Sequence, residues 1–562
     1  MKEIIAKLLK KAFKEKEINL NEKQIIKLLE IPPSSELGDY SFPCFSLASV
    51  LKKNPNQIAQ EIKNRFPQSE TIASVETKGP YVNFFLNKKY LAKMVIKEIS
   101  IKKNKFGSSN LGKGSKTMVE FPSPNTNKPL HLGHLRNMSI GESVSKIFEF
   151  NQEKIIRANL NNDRGIHICK SMLAYKKYGK NKKPDKKTDH FVGDFYVKFN
   201  EAVKKEKGLE EEAYELLRKW EEGDKKTIEL WKKMNKWALD GFQQTYKKFG
   251  INFDEEYYES EIYTKGKDIV LEGLKKKIFR KNSIGAIVFN MPENEKVLLR
   301  PDGTSVYITQ DLYLAILKLK KFNLTKSIYV VGNEQNYHFD VLFSILDRLG
   351  YPKNKFIHLS YGMVNLPEGK MKSREGTVVD ADYLIDEVQQ LVKKELNSRY
   401  KLSKKEIESR SLKIALSAIK YFLLKIDAKK DMTFNPKESI SFDGDTGPYI
   451  LYSYARASSI LRKAKKVQGK SEIKGELEGR EFELIKKLLQ FKEVVSNAYD
   501  NLNPSVIANY SYQLCQLFNE FYHSVQVINS DNEAFRLSIV NSFRQVLKNS
   551  LSLLGIETIE KM

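Results

Sequence analysis

The string His131-Leu132-Gly133-His134 places two histidines three residues apart around a glycine. It follows an apolar run and a loop rich in Pro and Asn, and Pro129 stands just ahead of an amphipathic helical pattern. A helix N-terminus offers free backbone N–H groups and a partial positive charge, so it suits a phosphate. A glycine has no Cβ, so a flat base can lie against the backbone there. The string predicts a nucleotide-phosphate site, with a metal-binding pair or two surface histidines as alternatives.

A second group of candidate residues is the cation cluster Lys370, Lys372 and Arg374, in a segment bounded by Gly369 and Gly376. A glycine-bounded loop of this kind can close over a triphosphate and stabilise the pyrophosphate that leaves. An ordinary basic surface turn is the alternative reading of this segment. The HLGH string in the same chain favours the phosphate function.

Strands and helices must alternate to position these groups. Short apolar runs predict buried strands at residues 117–121, 154–158, 327–332 and 356–360, and helical patterns cover residues 134–150 and 338–349. Alternation of this type predicts an α/β fold with a Rossmann-type, parallel, doubly wound sheet. A helical insertion rich in Lys and Glu is predicted at about residues 176–289.

The rest of the chain predicts two flanking domains. A small α+β N-terminal domain is expected over residues 1–110, with a helix across 42–66, a strand over 81–86 and a linker at 102–115. The catalytic domain is expected over 111–400. Residues 401–562 carry an almost uninterrupted helical pattern, which predicts an all-α bundle.

Composition restricts the class of protein. The chain has 562 residues, 41% of them hydrophobic, which excludes a disordered protein. Its 96 Lys and Arg residues against 70 Asp and Glu give a net charge of +26, which points to a polyanionic partner, nucleic acid first and an acidic membrane surface second. Three widely spaced cysteines provide neither a disulfide framework nor a zinc knuckle. With no secretory or membrane-spanning pattern, we expect a cytoplasmic protein that does not bind a membrane.

HLGH and the KMKSR segment together resemble the HIGH and KMSKS motifs of class I aminoacyl-tRNA synthetases. Longer strings along essentially the whole chain resemble arginyl-tRNA synthetases. These strings are ELGDYSFP, GPYVNFFL, EFPSPNTNKPLHLGHLRN, YVKFN, DGTSVYITQDL, GMVNLPEGKMKSREG, TGPYILYSYARASSILRKA and RLSIVNSFRQVLKNSLSLLGI.

The resemblance implies that L-arginine is activated with ATP to arginyl-adenylate and then transferred to the 3′ end of tRNA(Arg). It also implies that no separate editing domain is present. We expect Mg²⁺ to accompany ATP, bound mainly through the phosphates, so that the protein needs no metal site of its own, and we expect a monomer. The helical C-terminal domain is expected to bind the anticodon region, and the N-terminal domain the outer corner of the tRNA.

The same resemblance assigns the site residues. The catalytic set is His131, His134, Lys128, Lys370, Lys372 and Arg374. The ATP-binding set is Pro129, Leu132, Gly133, Met371 and Ser373. The arginine-binding set is Glu120, Asn125, Glu259, Tyr307, Asp311 and Gln335. The tRNA-binding set is Tyr449, Tyr452, Tyr454, Arg456 and Arg462.

One position departs from the family pattern. Ser373 stands where KMSKS has its second lysine, and Lys128 lies just ahead of HLGH. We hypothesise that Lys128 supplies the missing charge.

Three rival functions differ in their sequence requirements. Another class I synthetase would need zinc-binding cysteines or a basic side-chain pocket. A non-enzymatic RNA-binding protein would not need HLGH and Lys370. A small-molecule nucleotidyltransferase would not need the long basic helical C-terminus.

Overall fold

The structure, a computed structural model, describes residues 1–13, 18–292, 294–365, 367, 379–464 and 473–562. The strands, numbered in chain order, are β1 (Tyr40–Pro43), β2 (Ile72–Lys78), β3 (Tyr81–Leu86), β4 (Lys116–Glu120), β5 (Lys154–Asn161), β6 (Glu255–Tyr258), β7 (Arg280–Lys281), β8 (Ile287–Asn290), β9 (Glu295–Leu299), β10 (Lys326–Gly332), β11 (Phe356–Tyr361), β12 (Val364–Asn365) and β13 (Met432–Thr433).

The helices are α1 (Lys2–Phe13), α2 (Glu22–Leu28), α3 (Phe45–Leu51), α4 (Pro55–Arg65), α5 (Lys88–Lys102), α6 (Leu132–Phe150), α7 (Ile166–Tyr178), α8 (Thr188–Ala202), α9 (Leu209–Glu221), α10 (Lys225–Phe249), α11 (Glu259–Ile262), α12 (Lys267–Lys275), α13 (Tyr307–Phe322), α14 (Asn336–Arg348), α15 (Ala381–Arg399), α16 (Lys404–Leu424), α17 (Pro436–Ser439), α18 (Gly447–Lys463), α19 (Gly479–Asp500), α20 (Ser505–Ser524) and α21 (Glu533–Leu553). The chain forms two compact units. One contains residues 1–103, 464–489 and 519–542, and the other contains residues 104–463, 490–518 and 543–562.

The N-terminal residues of the first unit form an antiparallel sheet in the order β1-β3-β2, which confirms the strand predicted at residues 81–86. Phe13 of α1 packs on Phe42 of β1, with ring centroids 5.7 Å apart. The helix predicted across residues 42–66 is wrong in two respects. Phe42 lies in a strand, and a left-handed residue, Lys52 (φ 50°), separates α3 from α4. Pro55 at the start of α4 explains the break, because proline is disfavoured inside a helix.

The second unit is built around a parallel sheet in the order β11-β10-β4-β5-β6. The four predicted strands are confirmed, and β6 is an additional edge strand that lacks an apolar run. The chain passes from β4 to β5 on one side, while β10 lies on the other side of β4. This is a topological switch point, where ligands of open α/β sheets bind at the carboxyl ends of the strands.

Helix α6 follows β4 directly and is buried along most of its length. Its Arg136 is fully buried, and the guanidinium donates to the carbonyl groups of Gly362 (2.8 Å), Ala428 (3.1 Å) and Lys430 (2.7 Å). Five fixed donors allow one arginine to satisfy several carbonyl groups at once. Arg136 therefore fixes α6 to the segment after β11 and to the loop before β13.

The linker predicted at residues 102–115 is wrong for the part in the second unit. Phe106 is only 3% exposed, and its ring stacks on Phe491 with centroids 6.4 Å apart. The backbone N–H of Gly112 donates to the Asn151 carbonyl (2.9 Å). A buried aromatic side chain outweighs the local Lys, Gly and Ser composition that suggested a linker.

The insertion contains helices α8, α9 and α10, as its Lys- and Glu-rich pattern predicts. Its core is aromatic, with Tyr175 of α7 in edge contact with Phe195 (5.1 Å) and Trp237 (5.6 Å). Beyond residue 400, Ser403 caps α16 through a capping box with Glu406, and helices account for most of the remaining described residues. Within the described residues, no helix is both long and apolar enough to span a bilayer.

Candidate active site

Helix α6 begins at the HLGH string, and His131 is the residue that caps it. The Nδ1 atom of His131 accepts a hydrogen bond from the backbone N–H of Gly133 (3.1 Å). The Nδ1 atom of His134 accepts one from the backbone N–H of His131 (3.1 Å), and the two ring centroids are 3.9 Å apart. This reciprocal cap fixes both imidazoles at the helix N-terminus beyond the carboxyl end of β4.

Both histidines of the cap are neutral near pH 7. Burial lowers the pKa of His131 to about 3, and the nearby charge of Lys128 acts in the same direction. Burial and the charges of His131 and Lys128 lower the pKa of His134 well below its usual value. A neutral imidazole carries one proton, and Nδ1 accepts a hydrogen bond in each ring, so the proton is on Nε2. Each ring therefore offers an Nε2–H donor for a phosphate oxygen.

Lys128 lines a cavity of about 180 Å³ together with His131. Burial lowers the pKa of the Lys128 ammonium below its usual value. Within the described ranges of the chain, this ammonium has no ion pair or hydrogen bond. A poorly solvated cation without a partner is unfavourable until an anion binds to it. Lys128 is therefore placed to bind a ligand phosphate next to the histidine cap.

The helical insertion forms one wall of this cavity through α8. Gly193 of α8 packs on the loop that carries Pro129, because a Cβ atom at position 193 would lie 2.6 Å from the Pro129 Cδ atom. Lys186 and Asp194, which form an ion pair of 2.7 Å, line the same wall. Helix α8 thus limits the access of water to one side of the histidine cap.

A short backbone pairing joins this cap to the segment before α15. The N–H of Leu132 donates to the Val379 carbonyl, and the N–H of Ala381 donates to the Leu130 carbonyl, both at 2.9 Å. Asp380, between these two bonds, is the N-cap residue of α15. The first turn of α15 is therefore fixed against the residues that begin α6.

A polar cluster of Lys187, Asp189, His190 and Asp382 lies next to this pairing. The Lys187 ammonium donates to Asp189 (2.8 Å) and Asp382 (2.7 Å), and His190 Nε2 is 3.2 Å from an Asp382 oxygen. Burial opposes protonation of His190, but the hydrogen bond to Asp382 and the charges of Asp380 and Asp189 raise its pKa. The ligand atoms of Asp189, His190 and Asp382 lie within 4.8 Å of one another, a spacing that a metal ion accepts. The Lys187 ammonium already pairs with both carboxylates, so the cluster acts as an ion-pair network between α8 and α15.

Two acids predicted to bind arginine come together at the carboxyl-end edge of the sheet. Glu259 directly follows β6 and is 8% exposed. Burial raises the pKa of Glu259 to about 7; the charge of Arg164 opposes this increase, and those of Asp163 and Asp311 add to it. The closest Arg164 nitrogen is 3.9 Å from Glu259 Oε1, beyond hydrogen-bond distance. A ligand guanidinium would supply the hydrogen-bond donors that this carboxylate lacks.

Asp311 is oriented by His338, whose Nε2 lies 2.7 Å from an Asp311 oxygen. Tyr307 lies four residues before Asp311 on α13 and is 71% exposed. Residues at this spacing share one face of a helix, so the phenol and the carboxylate are neighbours. Asn125 and Gln335 are exposed in the segments that follow β4 and β10, at the same edge of the sheet.

Glu120 has a different environment from the other predicted arginine ligands. It ends β4, is 6% exposed and accepts a hydrogen bond from the ammonium of Lys318, which is fully buried. The same ammonium lies over the rings of Tyr257 (5.1 Å) and Tyr329 (5.3 Å). The charge of Glu120 is thus balanced within the protein, and direct contact between Glu120 and arginine stays a prediction.

The predicted loop residues Lys370, Met371, Lys372, Ser373 and Arg374 lie outside the described residues. The described part of the site therefore consists of the histidine cap, Lys128, the two acids and the loops around them.

Comparison with known families accounts for nearly the whole chain. The model for the catalytic domain of class I tRNA synthetases (R) matches residues 95–436. The DALR anticodon binding domain matches residues 450–562, and the arginyl tRNA synthetase N terminal domain matches residues 1–86. The arginine--tRNA ligase of Borrelia hermsii is 44% identical over an alignment 582 residues long, gaps included, which covers 100% of this chain and 99% of that protein.

The chain belongs to the arginyl-tRNA synthetase family. The arginine--tRNA ligase of Treponema denticola is 45% identical over 561 residues, which cover 95% of this chain and 94% of that protein. The solved arginyl-tRNA synthetase of Thermus thermophilus superposes with a TM-score of 0.84 at 25% identity, over 100% of both chains. Aminoacylation of tRNA(Arg) is the function of this family, and ATP is a substrate of class I synthetases. The predicted family, fold class and enzyme class are confirmed.

The residues predicted to bind tRNA, all on α18, differ in exposure. Tyr449 and Tyr452 are partly exposed, and the Arg456 guanidinium lies 4.7 Å from the centre of the Tyr452 ring. Arg462 is exposed and donates to the Glu560 carbonyl (2.9 Å). Tyr454 is only 2% exposed, so its ring packs in the interior of this arginyl-tRNA synthetase family member. Its role in base stacking stays a prediction.

Sequence reasoning missed several residues of the site. Arg164 and His338 follow the carboxyl ends of β5 and β10, and polar residues at such positions are a usable signal in an α/β sheet. Lys187 and His190 carry no such signal, because they lie in a Lys-rich insertion and meet Asp382 only through tertiary packing.

Proposed function

We propose that this chain activates L-arginine with ATP at the carboxyl-end edge of the parallel sheet and transfers the arginyl group to the 3′ end of tRNA(Arg). The observation that carries the proposal is the pairing of two different half-sites on one edge. One half-site is a neutral histidine cap beside Lys128, a lysine with no ion pair to any described residue. The other is a pair of carboxylates, Glu259 and Asp311, whose charges act on one another.

In the first step, an oxygen of the arginine carboxylate forms a bond to the α-phosphorus of ATP. The bond from that phosphorus to the bridging oxygen of the β-phosphate breaks, and pyrophosphate leaves. Negative charge grows on the phosphate oxygens, and fixed donors that already point at this charge lower the barrier. We assign this role to the Nε2–H groups of His131 and His134 and to the Lys128 ammonium.

The remaining nucleotide contacts are assigned from the family motifs. We propose Lys370, Lys372 and Arg374 as cations for the pyrophosphate. The residues proposed to surround the nucleotide are Pro129, Leu132, Gly133, Met371 and Ser373. Mg²⁺ is proposed to enter with ATP, held mainly by phosphate oxygens. The carboxylate of Asp380, which lines the 180 Å³ cavity, is of the ligand type that Mg²⁺ prefers.

Arginine recognition is proposed to rest on the acidic half-site. The guanidinium presents five donors in a planar fork, which suits two carboxylates and a phenol. Glu259, Asp311 and Tyr307 supply these groups. Asn125 and Gln335 are proposed to contact the α-amino and carboxylate end of the amino acid. Glu120, paired with Lys318, is proposed to shape the floor of this pocket.

The tRNA is proposed to contact both terminal regions of the chain. We assign residues 1–110 to the outer corner of the tRNA, residues 111–400 with the insertion at 176–289 to catalysis, and residues 401–562 to the anticodon region. The net charge of +26 and the matching anticodon-binding domain support this assignment. Three free, buried cysteines support a cytoplasmic location, and we propose a monomer as the working state.

The decisive experiment is ATP–pyrophosphate exchange with each amino acid, with and without tRNA(Arg). We expect arginine to be the one amino acid that supports exchange. Asp311→Asn should raise the arginine KM by roughly 10-fold or more, because a charged partner of the guanidinium is lost. Exchange with a different amino acid, or an unchanged KM in Asp311→Asn, would contradict the proposed pocket.

A further inference from the structure

A second cavity, of about 590 Å³, lies in the unit that contains the histidine cap. Its walls come from the far end of α6, the end of α10, the middle of α16, and α21 with the segment after it. Lys146 on its wall follows His134 by twelve residues of α6. At a rise of about 1.5 Å for each residue, this is roughly 18 Å along the helix. The cavity is therefore separate from the proposed ATP site.

The wall of this cavity is strongly basic. Among the described residues, its cations are Lys146, Lys247, Lys248, Lys413, Lys420 and Lys548, and its single acid is Glu557. Three of these lysines have acidic partners: Lys146 pairs with Glu142, Lys248 with Asp386 and Lys413 with Glu557.

Two of the remaining lysines, Lys247 and Lys548, are exposed and make no ion pair with any residue in the described part of the chain. The ends of α10 and α21 at the cavity each add only about half an elementary charge of negative sign. The cavity therefore retains an excess of positive charge.

Lys420 is the most unusual of these cations because it is only 6% exposed. Its ammonium donates to the Gly555 carbonyl (2.7 Å) and lies 4.8 Å from the centre of the Phe249 ring. Burial lowers the pKa of Lys420 to about 8, although the charge of Glu142 opposes this effect. An ammonium has three donors, and a single carbonyl satisfies one of them.

Two glycines leave space beside this ammonium. Cβ atoms built at Gly250 and Gly555 would lie 3.8 and 3.7 Å from the Lys420 Nζ atom. Both glycines have positive φ values, of 76° and 67°, which disfavour any larger residue. The approach to the buried cation is therefore left open by the backbone itself. The apolar part of the wall comes from Phe249, Leu412, Leu416 and Ile556.

We propose that this cavity is a second phosphate-binding site, which takes a phosphate group whose carrier also packs on the apolar wall. Lysine binds phosphate as a point charge, and a volume of several hundred Å³ is typical of small-ligand sites. The phosphate can belong to a free phosphorylated small molecule or to the backbone of bound tRNA. Both sources share the same recognition chemistry, and the experiment below separates them.

The first arm uses inorganic tripolyphosphate as the probe, with arginine and a non-hydrolysable ATP analogue saturating the active site. Calorimetry should show binding to the parent protein. Removing the two exposed cations of the wall in K247Q/K548Q should weaken binding by roughly 10-fold or more. The matched control K232Q/K404Q removes the same charge from exposed lysines outside the cavity and should change binding less than about 2-fold. Lys420→Met should abolish binding.

The second arm measures tRNA(Arg) binding by filter retention at several salt concentrations. If a tRNA phosphate occupies the cavity, K247Q/K548Q lowers the slope of log affinity against log salt by about 1–2, and the control does not. In that case tRNA also displaces tripolyphosphate. If a free small molecule is the natural ligand, the salt slopes of tRNA binding agree between K247Q/K548Q and the control, and tRNA does not displace tripolyphosphate.

The proposal is overturned if tripolyphosphate binds K247Q/K548Q and K232Q/K404Q equally well. It is also overturned if tripolyphosphate does not bind the parent and the tRNA salt slopes of the two variants agree. Lys247 and Lys548 are exposed, so their substitution does not perturb the core. These results therefore do not depend on whether Lys420→Met folds. Failure here leaves the arginine-activation assay unaffected, because that assay reports on a different cavity.

Discussion

Replacing Lys128 with alanine tests the electrostatic argument for the proposed ATP site most directly. The Lys128 ammonium is poorly solvated, has no ion pair among the described residues, and lines the same cavity as His131. A unit charge about 4 Å from a phosphate oxygen interacts by about 4 kcal/mol at an effective dielectric constant of about 20. Only the part of this interaction energy that develops as negative charge moves onto pyrophosphate lowers the activation barrier of adenylation.

If half or all of this interaction is specific to the transition state, the loss is about 2–4 kcal/mol, or roughly 30- to 1,000-fold in rate. The assay is ATP–pyrophosphate exchange with saturating arginine, ATP and tRNA(Arg). The maximal rate should fall by this factor. The arginine KM should change less than about 3-fold, because the acidic half-site is untouched.

Lys186→Ala is the matched control for this experiment. Lys186 lines the same cavity, but it is paired with Asp194 at 2.7 Å and its side chain is 47% exposed. Its loss should change the exchange rate less than about 3-fold. Lys128→Arg keeps the charge and should recover part of the rate. The assignment would be refuted if Lys128→Ala kept the exchange rate of the parent. It would also be refuted if Lys128→Ala and Lys186→Ala lowered the exchange rate by the same factor.

Three further predictions follow from the same structure. Because burial raises the pKa of Glu259 to about 7, the arginine KM should rise as pH falls from 8 to 6, and Glu259→Gln should remove this dependence; a parallel pH profile in both proteins would exclude Glu259 from the pocket. Gly193→Ala should slow adenylation by roughly 10-fold, because the new Cβ would lie 2.6 Å from the Cδ atom of Pro129. An unchanged rate would show that α8 does not position the loop that carries Pro129. Lys420 has a pKa of about 8 in the folded protein against 10.5 as its reference, so the unfolded chain holds more protons between these values and stability rises with pH. At about 1.4 kcal/mol for each pH unit, the free energy of unfolding of the parent should rise by about 3 kcal/mol from this residue. Denaturant titrations at pH 7.5 and 10.5 should show this increase in the parent and not in Lys420→Met.

The sequence predicted those parts of the fold that local pattern controls. Residues 154–158 carry the apolar pair Ile155 and Ile156, residues 327–332 carry a longer run with Val330 and Val331, and both segments become interior strands of the parallel sheet. His131 was recognised because a strand, a proline-containing loop and a helical pattern follow one another in the chain. Local patterns of this kind reflect the periodicity of each element and do not depend on distant contacts.

The errors arose where distant residues decide the structure. Phe42 reads as the start of a helix, but pairing with Val82 of β3 makes it part of a strand. The segment around Phe106 reads as a linker until Phe491, almost 400 residues later, covers it. His190 was not recognised because its partner Asp382 lies 192 residues away in the chain. The raised pKa of Glu259 likewise comes from its burial and, to a smaller extent, from charges such as that of Asp311, which no local pattern connects with it.

The contact between Gly193 and Pro129 gives the inserted helices a part in nucleotide chemistry. A shortened chain without residues 188–249 would keep both imidazoles at the start of α6 but would open one side of them to bulk water. Neutral N–H donors compete poorly for phosphate oxygens when water is equally near, so such a truncation should behave like an enzyme with a damaged catalytic centre even though the HLGH string and Lys128 are intact.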